Sequence, residues 1–243
     1  MKKSVLITGV LGGIGKELAI AFKEAGFYVY GLDIKQSDSC DADTFIQFDL
    51  NRFADGGDYY KEWKDFFLRK INSLNVLINN AAVQRLGNVR TLELDDWKET
   101  LNVNLTGPLL LTQLFLPLLE KEAGSVINIG SIHQQLTKPN FVCYATSKSA
   151  LIGLTKAMAV DLQGKVRVNA ISPAAIETDM LRAGFNNDES ALDELRKIHP
   201  VQRIGYPKDV AKMALFLASE NSGFIHGANL SLDGGISSVL KDL

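Results

Sequence analysis

The amino-acid sequence predicts one α/β domain, 1–243, built as a doubly wound parallel sheet of about seven strands with helices on both faces. Apolar runs of strand length alternate with longer segments of helical period along the whole chain. The strand-like runs are apolar at nearly every position, which is typical of parallel strands buried on both faces. With 243 residues, 46% of them hydrophobic, the chain is large enough to bury an extensive core.

The first 80 residues contain four predicted strands and two predicted helices. The strands are the apolar runs 4–9, 27–33, 44–49 and 75–80. The helices are the periodic segments 15–26 and 59–71, of which the first ends at Gly26. This order is what a doubly wound sheet requires of its first half.

The rest of the chain supplies three more strands and three more helices. The strands are predicted at 124–131, 165–173 and 228–235, and the helices at 95–122, 144–163 and 207–219. Helix 95–122 is long and very apolar, and Pro108 and Pro117 predict a kink in it. The polar stretch 177–200 predicts a flap on the substrate side, and an ordinary surface excursion with a short helix is the alternative.

Charge and composition exclude several classes of protein. A net charge of −2 gives no basic excess for binding nucleic acid. Two cysteines form no disulfide framework, and the three histidines show no metal-ligand spacing. The first apolar run is too short for a secretory leader, and no stretch reaches the roughly 20 apolar residues of a membrane span. We therefore expect a cytoplasmic protein that binds no metal, nucleic acid or membrane.

The segment TGVLGGIGKE, 8–17, matches two phosphate-binding motifs in part. A P-loop needs four residues between its first glycine and Gly-Lys, followed by Ser or Thr. Here five residues separate Gly9 from Gly15, and Glu17 stands at the hydroxyl position. The pattern T-G-x-x-x-G-x-G instead suits a strand-to-helix turn that holds a dinucleotide pyrophosphate. A glycine-rich turn that binds nothing is the alternative.

Asp33 indicates which dinucleotide the turn would hold. It ends the second predicted strand, 18 residues after Gly15, close to where an acidic residue holds the adenosine ribose hydroxyls. A carboxylate there repels the 2′-phosphate of NADP, so the sequence favours NAD. The following loop is also acidic, with Asp38, Asp41 and Asp43, and Lys35 is its opposing charge.

A candidate catalytic set follows the fifth predicted strand. Tyr144 and Lys148 are four residues apart at the start of a helix, so they share a face. Ser131 ends the preceding strand, 13 residues before Tyr144, and the carboxyl ends of strands are where open α/β folds bind ligands. For the Tyr-x-x-x-Lys pair alone, an ordinary helix surface is the alternative.

Together these motifs resemble the classical short-chain dehydrogenase/reductase family, whose members have a single-domain Rossmann-type fold. The match extends from Ser4 to about Gly235, with the patterns of the family in order. They are TGxxxGIG at 8–15, an acidic residue at 33, Asp-Leu at 49–50, NNAA at 79–82, asparagine at 104, serine at 131, YxxxK at 144–148, RVNAISP at 167–173, threonine at 178 and LDGG at 232–235.

The resemblance implies a catalytic set of Asn104, Ser131, Tyr144 and Lys148. Tyr144 acts as general acid/base while a hydride moves between the substrate carbon and nicotinamide. The ordinary tyrosine pKa near 10 is too high for this role at neutral pH, and the Lys148 cation beside it favours the phenolate. Ser131 hydrogen-bonds the substrate oxygen, and Asn104 positions a water that links Lys148 to solvent.

The resemblance also implies a cofactor site that spans the loops at one edge of the sheet. The expected contacts are Thr8, Gly9, Gly12, Gly13, Ile14, Gly15, Asp33, Ile34, Asp49, Leu50, Asn80, Ala81, Ala82, Asn104, Tyr144, Lys148, Pro173, Ile176 and Thr178. Gly12 favours NAD, because NADP-using relatives often carry a basic residue there. Ala82 and Ala174 replace glycines of the family pattern, and at positive φ each alanine would cost about 1 kcal/mol.

The substrate side is indicated by SIHQQLTKPNFVCY, 131–144. The Ser-x-His spacing resembles the sugar-oxidising glucose dehydrogenases of the family. The expected substrate contacts are Gln84, Ser131, His133 and Tyr144, in a polar pocket with Arg85 and Gln135. The hypothesis is a polar hydroxylated substrate such as a sugar, polyol or hydroxy acid. A histidine that caps a strand end and an arginine that is simply solvated are the alternatives for His133 and Arg85.

Three other functions compete with an NAD-dependent oxidoreductase. A cofactor-sensing regulator is disfavoured by the intact catalytic set, and an extended-branch dehydratase or epimerase by the length of 243 residues. An NADPH-dependent ketoacyl reductase is disfavoured by Asp33. The resemblance further implies a homotetramer, or a homodimer, that assembles through LDGG and the helices led by Asp96 and Tyr144.

Overall fold

The computed structural model describes residues 2–240, which form a seven-stranded parallel sheet with helices on both faces. The strands are β1 (Ser4–Thr8), β2 (Tyr28–Asp33), β3 (Thr44–Gln47), β4 (Val76–Asn79), β5 (Ser125–Ile129), β6 (Arg167–Pro173) and β7 (Asn229–Leu232). Their order across the sheet is β3-β2-β1-β4-β5-β6-β7, and all neighbours are parallel. The predicted fold class is confirmed, and each predicted strand is present.

Nine α-helices lie in the described part of the chain. They are α1 (Gly13–Glu24), α2 (Leu50–Asp55), α3 (Gly57–Lys70), α4 (Leu94–Leu101), α5 (Gly107–Lys121), α6 (Val142–Leu162), α7 (Asp179–Gly184), α8 (Glu189–Ile198) and α9 (Pro207–Ala218). Helices α1 and α9 cover one face of the sheet, and α3, α5 and α6 cover the other.

Alternation along the strands divides the core into two layers. In β1, Val5 and Ile7 pack with Leu18 of α1 on one face, whereas Leu6 packs with Phe115 of α5 on the other. All of these side chains are fully buried. Burying each such side chain stabilises the fold by roughly 1.5–3 kcal/mol. Both layers need apolar residues, which explains why the strands read as continuous apolar runs.

The strand order reverses direction between β1 and β4, which are neighbours in the sheet. The chain leaves β1 toward β2 on one side and leaves β4 toward β5 on the other. A crevice therefore opens at the carboxyl ends of these two strands, the position where doubly wound folds bind ligands. The glycine turn after β1 and the 80–84 loop after β4 form its walls.

The predicted helix 95–122 is not one regular α-helix. A π-helical segment, Asn102–Thr106, joins α4 to α5. Pro108 supplies a physical reason, because it has no N–H to donate to the carbonyl of Asn104, four residues earlier, as an α-helix would require. The wider turn places Asn104 in a π segment, a feature that is frequent at functional sites.

The continuous segment Leu94–Lys121 is long and apolar enough, by length and composition, to cross a membrane. The sequence-based statement that no stretch reaches the roughly 20 apolar residues of a membrane span is therefore wrong. In the structure Leu111, Phe115 and Leu119 of this segment are fully buried. Packing against the sheet accounts for the apolar composition of that face.

The polar stretch 177–200 folds into α7 and α8, so it contains two short helices. Thr178 caps α7 by accepting from Leu181 N, and Asp188 caps α8 by accepting from Ser190 N. Helix α2, which Asp49 caps, was not predicted because it is only six residues long. Caps rather than apolar periodicity specify such short helices.

Candidate active site

The turn between β1 and α1 is shaped by contacts that exclude side chains. Gly9 has a φ of +66°, and a Cβ there would lie 2.9 Å from Ala81 Cα. A Cβ on Gly15 would overlap the Gly9 carbonyl oxygen, and one on Gly13 would lie 2.8 Å from Thr178 Cγ2. These three predicted glycines are thus required by close packing, whereas a Cβ on Gly12 would meet its nearest atom at 3.4 Å.

The first turn of α1 offers unpaired donors. Gly12 is its N-cap residue, no side chain caps the helix, and no acidic residue lies in its first turn. Free N–H groups and the helix dipole at such an end favour an anion. The residues present therefore fit the pyrophosphate of a dinucleotide, which would lie against Gly13, Ile14 and Gly15.

Asp33 ends β2 beside this turn, as predicted. Its Oδ2 accepts from Leu11 N at 3.0 Å and its Oδ1 accepts from Lys35 N at 3.0 Å. Each carboxylate oxygen keeps a second acceptor site, which fits ribose hydroxyls. Asp43 does not contribute to this charge, because it accepts from Val29 N near the start of β2 and pairs with Lys23.

The residues expected to contact the adenine ring are Ile34, Asp49 and Leu50. The first is exposed, and the other two have contacts within the protein. Ile34 is 59% exposed next to Asp33, which suits a flat apolar ring. Asp49 Oδ1 accepts from Asn51 N and Arg52 N as the cap of α2. Leu50 is buried in the core. The side chains of Asp49 and Leu50 thus have structural roles in addition to any contact with adenine.

Thr8 and Asn80 fasten the 80–84 loop to the glycine turn. Thr8 Oγ1 accepts from Asn80 N at 3.0 Å and from Ala81 N at 2.9 Å. Asn80 Nδ2 donates back to the carbonyls of Thr8 and Gly9 at 2.9 and 3.1 Å. Ala82 lies outside the positive-φ region, so the predicted cost of replacing a glycine does not arise there.

The end of β6 and the start of the flap complete the crevice. Pro173 ends β6, and Ile176 is buried where it bridges to Gly205. Thr178 packs its methyl group against Gly13, so the flap begins in contact with the glycine turn. Ala174, like Ala82, has no positive φ, so its methyl group strains no backbone.

The structure brings Ser131, Tyr144 and Lys148 together at the carboxyl end of β5. Lys148 is buried, its Nζ donates to Ile129 O at 2.8 Å, and that nitrogen lies 5.7 Å from the centre of the Tyr144 ring. Burial lowers the pKa of Lys148 to about 8. Burial raises the pKa of Tyr144 above its usual value, and a hydrogen bond with Ser131 opposes that shift.

These shifts define the resting state of the pair. At pH 7 Lys148 is mainly charged and Tyr144 keeps its proton. The Lys148 cation stabilises a phenolate on Tyr144 when one forms. Ser131 is held by a hydrogen bond that its Oγ accepts from His133 N at 3.2 Å. The set can therefore exchange a proton with a substrate oxygen held between Ser131 and Tyr144.

Asn104 lies next to this set, in the π segment. Its Oδ1 accepts from Val83 N at 2.9 Å, and its Nδ2 donates to Val83 O and to Ser147 Oγ, each at 3.0 Å. The side chain thus holds the loop before Gln84. Ser147 was missed by the sequence analysis, although its place three residues after Tyr144 puts it on a neighbouring helix position.

His133 lies in an aromatic cluster. Its ring stacks on Phe141 with 4.5 Å between ring centres, and Tyr144 meets it edge-on at 5.8 Å. Burial and the Lys138 cation lower the pKa of His133, so it stays neutral. Its Nδ1 is buried without a hydrogen-bond partner. A neutral imidazole with one unused nitrogen is suited to a substrate hydroxyl.

The rest of the predicted polar pocket is only partly assembled. Gln84 is half-buried, but Gln135 is exposed. Arg85 forms a bidentate pair with Glu99, with Nε 2.6 Å from Oε2, and lies 3.6 Å from Asp96. The expectation that Arg85 lines the pocket is therefore wrong, because two carboxylates hold it on the α4 surface.

Lys138 and Phe185 join the flap to the β5–α6 loop, a contact that the sequence did not reveal. Lys138 Nζ lies 4.6 Å from the centre of the Phe141 ring and 5.8 Å from that of Phe185. Phe185 follows α7 in the flap. Cation–π contacts depend on tertiary geometry, so sequence spacing gave no signal for this one.

Fold and site together define a nicotinamide-dinucleotide oxidoreductase. The chain matches the profile of a family described as enoyl-(acyl carrier protein) reductase over residues 9–237. It belongs to the short-chain dehydrogenase/reductase family, whose members act on CH–OH groups with NAD or NADP.

Relatives with different substrates match the chain to a similar degree. A 3-oxoacyl-(acyl-carrier-protein) reductase of Thermotoga maritima is 33% identical, with 96% of this chain and 97% of the relative covered. D-threitol dehydrogenase of Mycolicibacterium smegmatis is 31% identical, with 96% and 92% covered. An NAD-dependent glycerol dehydrogenase of Listeria innocua is 30% identical, with 96% and 93% covered.

Solved structures agree with the fold over the whole chain. Aldohexose dehydrogenase of Thermoplasma acidophilum, in ligand-free form, superposes with a TM-score of 0.92 at 31% identity, covering 100% of this chain and 96% of that one. ElxO with NADP bound superposes with a TM-score of 0.86 at 32% identity, covering 98% and 100%. The relatives thus include users of both NAD and NADP, and both sugar-type and acyl-type substrates.

Proposed function

We propose that the protein is an NAD-dependent dehydrogenase of a small, polar, hydroxylated molecule such as a sugar, polyol or hydroxy acid. The observation that carries the proposal is the convergence of Ser131, Tyr144 and Lys148 beside a glycine turn that Asp33 closes. The first three residues supply the proton chemistry, and the fourth selects the cofactor.

The nicotinamide, when bound, supplies the hydride acceptor or donor. Tyr144 first releases its phenol proton to solvent, and the Lys148 cation stabilises the phenolate that remains. The phenolate then takes the proton of the substrate hydroxyl while the substrate carbon gives up a hydride, so a secondary alcohol becomes a ketone, and Ser131 holds the substrate oxygen. In the reverse direction Tyr144 returns the proton to that oxygen.

The choice of NAD is supported by the charge at the end of β2. The Asp33 carboxylate is anchored by two backbone N–H groups and so keeps its position. A 2′-phosphate at this place would meet its negative charge, while ribose hydroxyls can donate to it.

A polar substrate is supported by the groups around Tyr144. His133 Nδ1 has no hydrogen-bond partner among the described residues. Gln84 is half-buried and directly follows Val83, whose backbone is bound by Asn104. A second candidate, an NADPH-dependent 3-oxoacyl reductase, is favoured by the similarity to the Thermotoga maritima enzyme.

The test is an activity panel with NAD and NADP supplied separately. Aldohexoses, polyols, hydroxy acids, long-chain alcohols and 3-oxoacyl thioesters are compared by the change in nicotinamide absorbance. We expect turnover of polar alcohols with NAD. Activity confined to acyl thioesters with NADPH would establish the second candidate, and activity confined to apolar alcohols would refute a polar substrate.

A non-catalytic regulator is distinguished by Tyr144→Phe. For an enzyme, this variant keeps its affinity for NADH and loses turnover by roughly three orders of magnitude, the usual size of a general acid/base contribution. NADH binding is followed by its fluorescence. A regulator would have no wild-type turnover to lose.

Assembly, location and flap belong to the same proposal. We propose a homotetramer, supported by exposed apolar residues Val89 and Leu94 that line a groove with Val142 of α6. A cytoplasmic location is supported by two unpaired cysteines. Residues 177–200 act as a substrate-side flap, a proposal supported by the contact between Lys138 of the β5–α6 loop and Phe185 of the flap. Size-exclusion chromatography with light scattering tests the assembly, and a monomer would refute it.

A further inference from the structure

We propose that Ser147 is a positioning residue that joins the two walls of the active-site crevice. One wall is the loop after β4, which carries Val83 and Gln84, and the other is α6, which carries Tyr144 and Lys148. The inference rests on the proposed function of Tyr144. It assigns a role to a hydroxyl that touches neither the expected substrate nor the expected cofactor.

The hydroxyl of Ser147 uses both of its hydrogen-bonding capacities. It donates to the Tyr144 carbonyl at 2.8 Å and accepts from Asn104 Nδ2 at 3.0 Å. A serine has one proton, so donating it to Tyr144 leaves the lone pairs for the amide. Ser147 and Asn104 are both buried, at 0% and 1% exposure, so solvent cannot replace these partners.

Asn104 extends the connection to the other wall. Its amide pairs with both backbone groups of Val83, which fixes the oxygen toward Val83 N and the nitrogen toward Val83 O. Of the side-chain bonds that Asn104 makes in the described chain, the one to Ser147 reaches α6. A continuous path of four hydrogen bonds therefore runs from Val83 to the Tyr144 backbone.

The hydrogen bonds therefore help to fix the distance between Tyr144, the proposed acid/base, and Gln84, an expected substrate contact. The proton acceptor sits on α6, while the half-buried Gln84 follows Val83 directly. Small displacements of a positioned acid/base reduce catalysis steeply. Further along the same segment, Cys143 Sγ donates to Arg85 O at 3.0 Å and Gly87 N donates to Asn140 O at 2.9 Å, so the walls also meet there. Without Ser147, the Asn104 amide keeps Val83 but loses its bond to α6, and the Val83–Gln84 end of the loop is held less firmly against Tyr144.

Helix α6 offers a matched control two turns further on. Thr155 Oγ1 accepts from Asn128 Nδ2 at 2.8 Å, donates to Leu151 O at 2.8 Å, and is fully buried. The bonding pattern and burial equal those of Ser147, but the bonds lead away from Tyr144. Ser147→Ala and Thr155→Val therefore remove the same interactions at two distances from the reacting atoms.

The experiment compares kcat, its pH profile, and hydrogen exchange of the 81–86 segment in the two variants. For Ser147→Ala we expect a roughly tenfold lower kcat with a nearly unchanged NADH affinity, the scale of one or two lost hydrogen bonds. We also expect the alkaline rise of kcat to move to higher pH, because Tyr144 is less well held beside Lys148. Exchange at 81–86 becomes faster, and Ser147→Thr restores the rate.

Thr155→Val leaves the pH profile and exchange at 81–86 as in the wild type. In a double-mutant cycle with Asn104→Ala, Ser147→Ala adds little further loss, because the path is already broken. Equal behaviour of Ser147→Ala and Thr155→Val, or full additivity with Asn104→Ala, overturns the inference. Absence of wild-type turnover on the whole panel refutes the proposed function instead, and hydrogen exchange still decides whether Ser147 couples the two walls.

Discussion

Lys148 is a buried cation whose charge destabilises the folded protein by an amount that depends on pH. Its side chain is 2% exposed, and its Nζ has the Ile129 carbonyl as hydrogen-bond partner. Burial lowers its pKa from the usual 10.5 to about 8. Under the proposed function this charge stabilises the phenolate of Tyr144, which would offset its cost to folding.

The size and sign of the effect follow from proton linkage. A difference of 2.5 units between unfolded and folded pKa values corresponds to about 3 kcal/mol, at about 1.4 kcal/mol per unit. Between pH 8 and pH 10.5 the unfolded chain holds a proton that the folded chain has released. The free energy of unfolding therefore rises with pH across this window, and the full cost is present below pH 8.

The assay is denaturant unfolding of wild type and Lys148→Met at several pH values. We expect the wild type to gain about 2–3 kcal/mol relative to the variant between about pH 7 and pH 10. Taking the difference removes contributions from other titrating groups and from the lost bond to Ile129. Lys156→Met, an exposed lysine on the same helix, serves as control and follows the wild type.

Parallel stability curves for wild type and Lys148→Met from pH 7 to pH 10 would refute this reasoning. They would mean that the ammonium is solvated or paired in the folded protein, against its burial. Turnover provides an independent check, because Lys148→Met removes the cation beside Tyr144 and should lower kcat at every pH.

Three further predictions concern the glycine turn, the cofactor and the flap. Gly13→Ala lowers the melting temperature and NADH affinity because its Cβ has no room, whereas Gly153→Ala, in the open interior of α6, stabilises by about 0.5–1 kcal/mol. Asp33→Asn raises the ratio of NADP to NAD efficiency by about 10–100-fold, since one negative charge near the 2′-phosphate is worth about 1–3 kcal/mol. Lys138→Met speeds proteolysis of the flap about 2–5-fold, because the one cation–π contact that reaches the flap, with Phe185, is lost and is worth about 0.5–1 kcal/mol.

Each of these has a clear opposite result. Equal melting temperatures of Gly13→Ala and Gly153→Ala would show that the turn is not sterically closed. An unchanged cofactor ratio in Asp33→Asn would remove the charge argument for NAD. If Lys197→Met, which removes a flap lysine paired with Glu194 of its own helix, speeds proteolysis as much as Lys138→Met, the flap contact is not specific.

The sequence alone was sufficient to predict the fold class and to name the candidate site residues. Short apolar runs separated by helical segments indicated parallel strands covered on both faces, and seven strands were predicted and found. The order of the Ser131, Tyr144 and Lys148 motifs along the chain placed them at strand and helix ends, which the topology then brings together. These features depend on local composition and on spacing, so they can be predicted from the amino-acid sequence.

The helix predicted for 95–122 shows where local patterns fail. Its apolar period continues through 102–106, so the period gives no sign of a π segment. The segment depends on the missing N–H of Pro108 and on the bonds that Asn104 makes with Val83 and Ser147. Those partners are 21 and 43 residues away in the chain.

What only the tertiary structure decided is the set of partners. The sequence placed Arg85 in the expected substrate pocket, but in the structure Glu99 and Asp96 pair with it. The sequence shows Ser147 only as a residue of α6, whereas the structure shows that it bonds both Asn104 and the Tyr144 carbonyl. Hydrogen bonds and ion pairs require groups within about 3–4 Å, and the chain segments that supply them meet only when the sheet assembles. The sequence by itself therefore determined which chemistry this protein carries, and the folded structure determined which groups hold that chemistry in place.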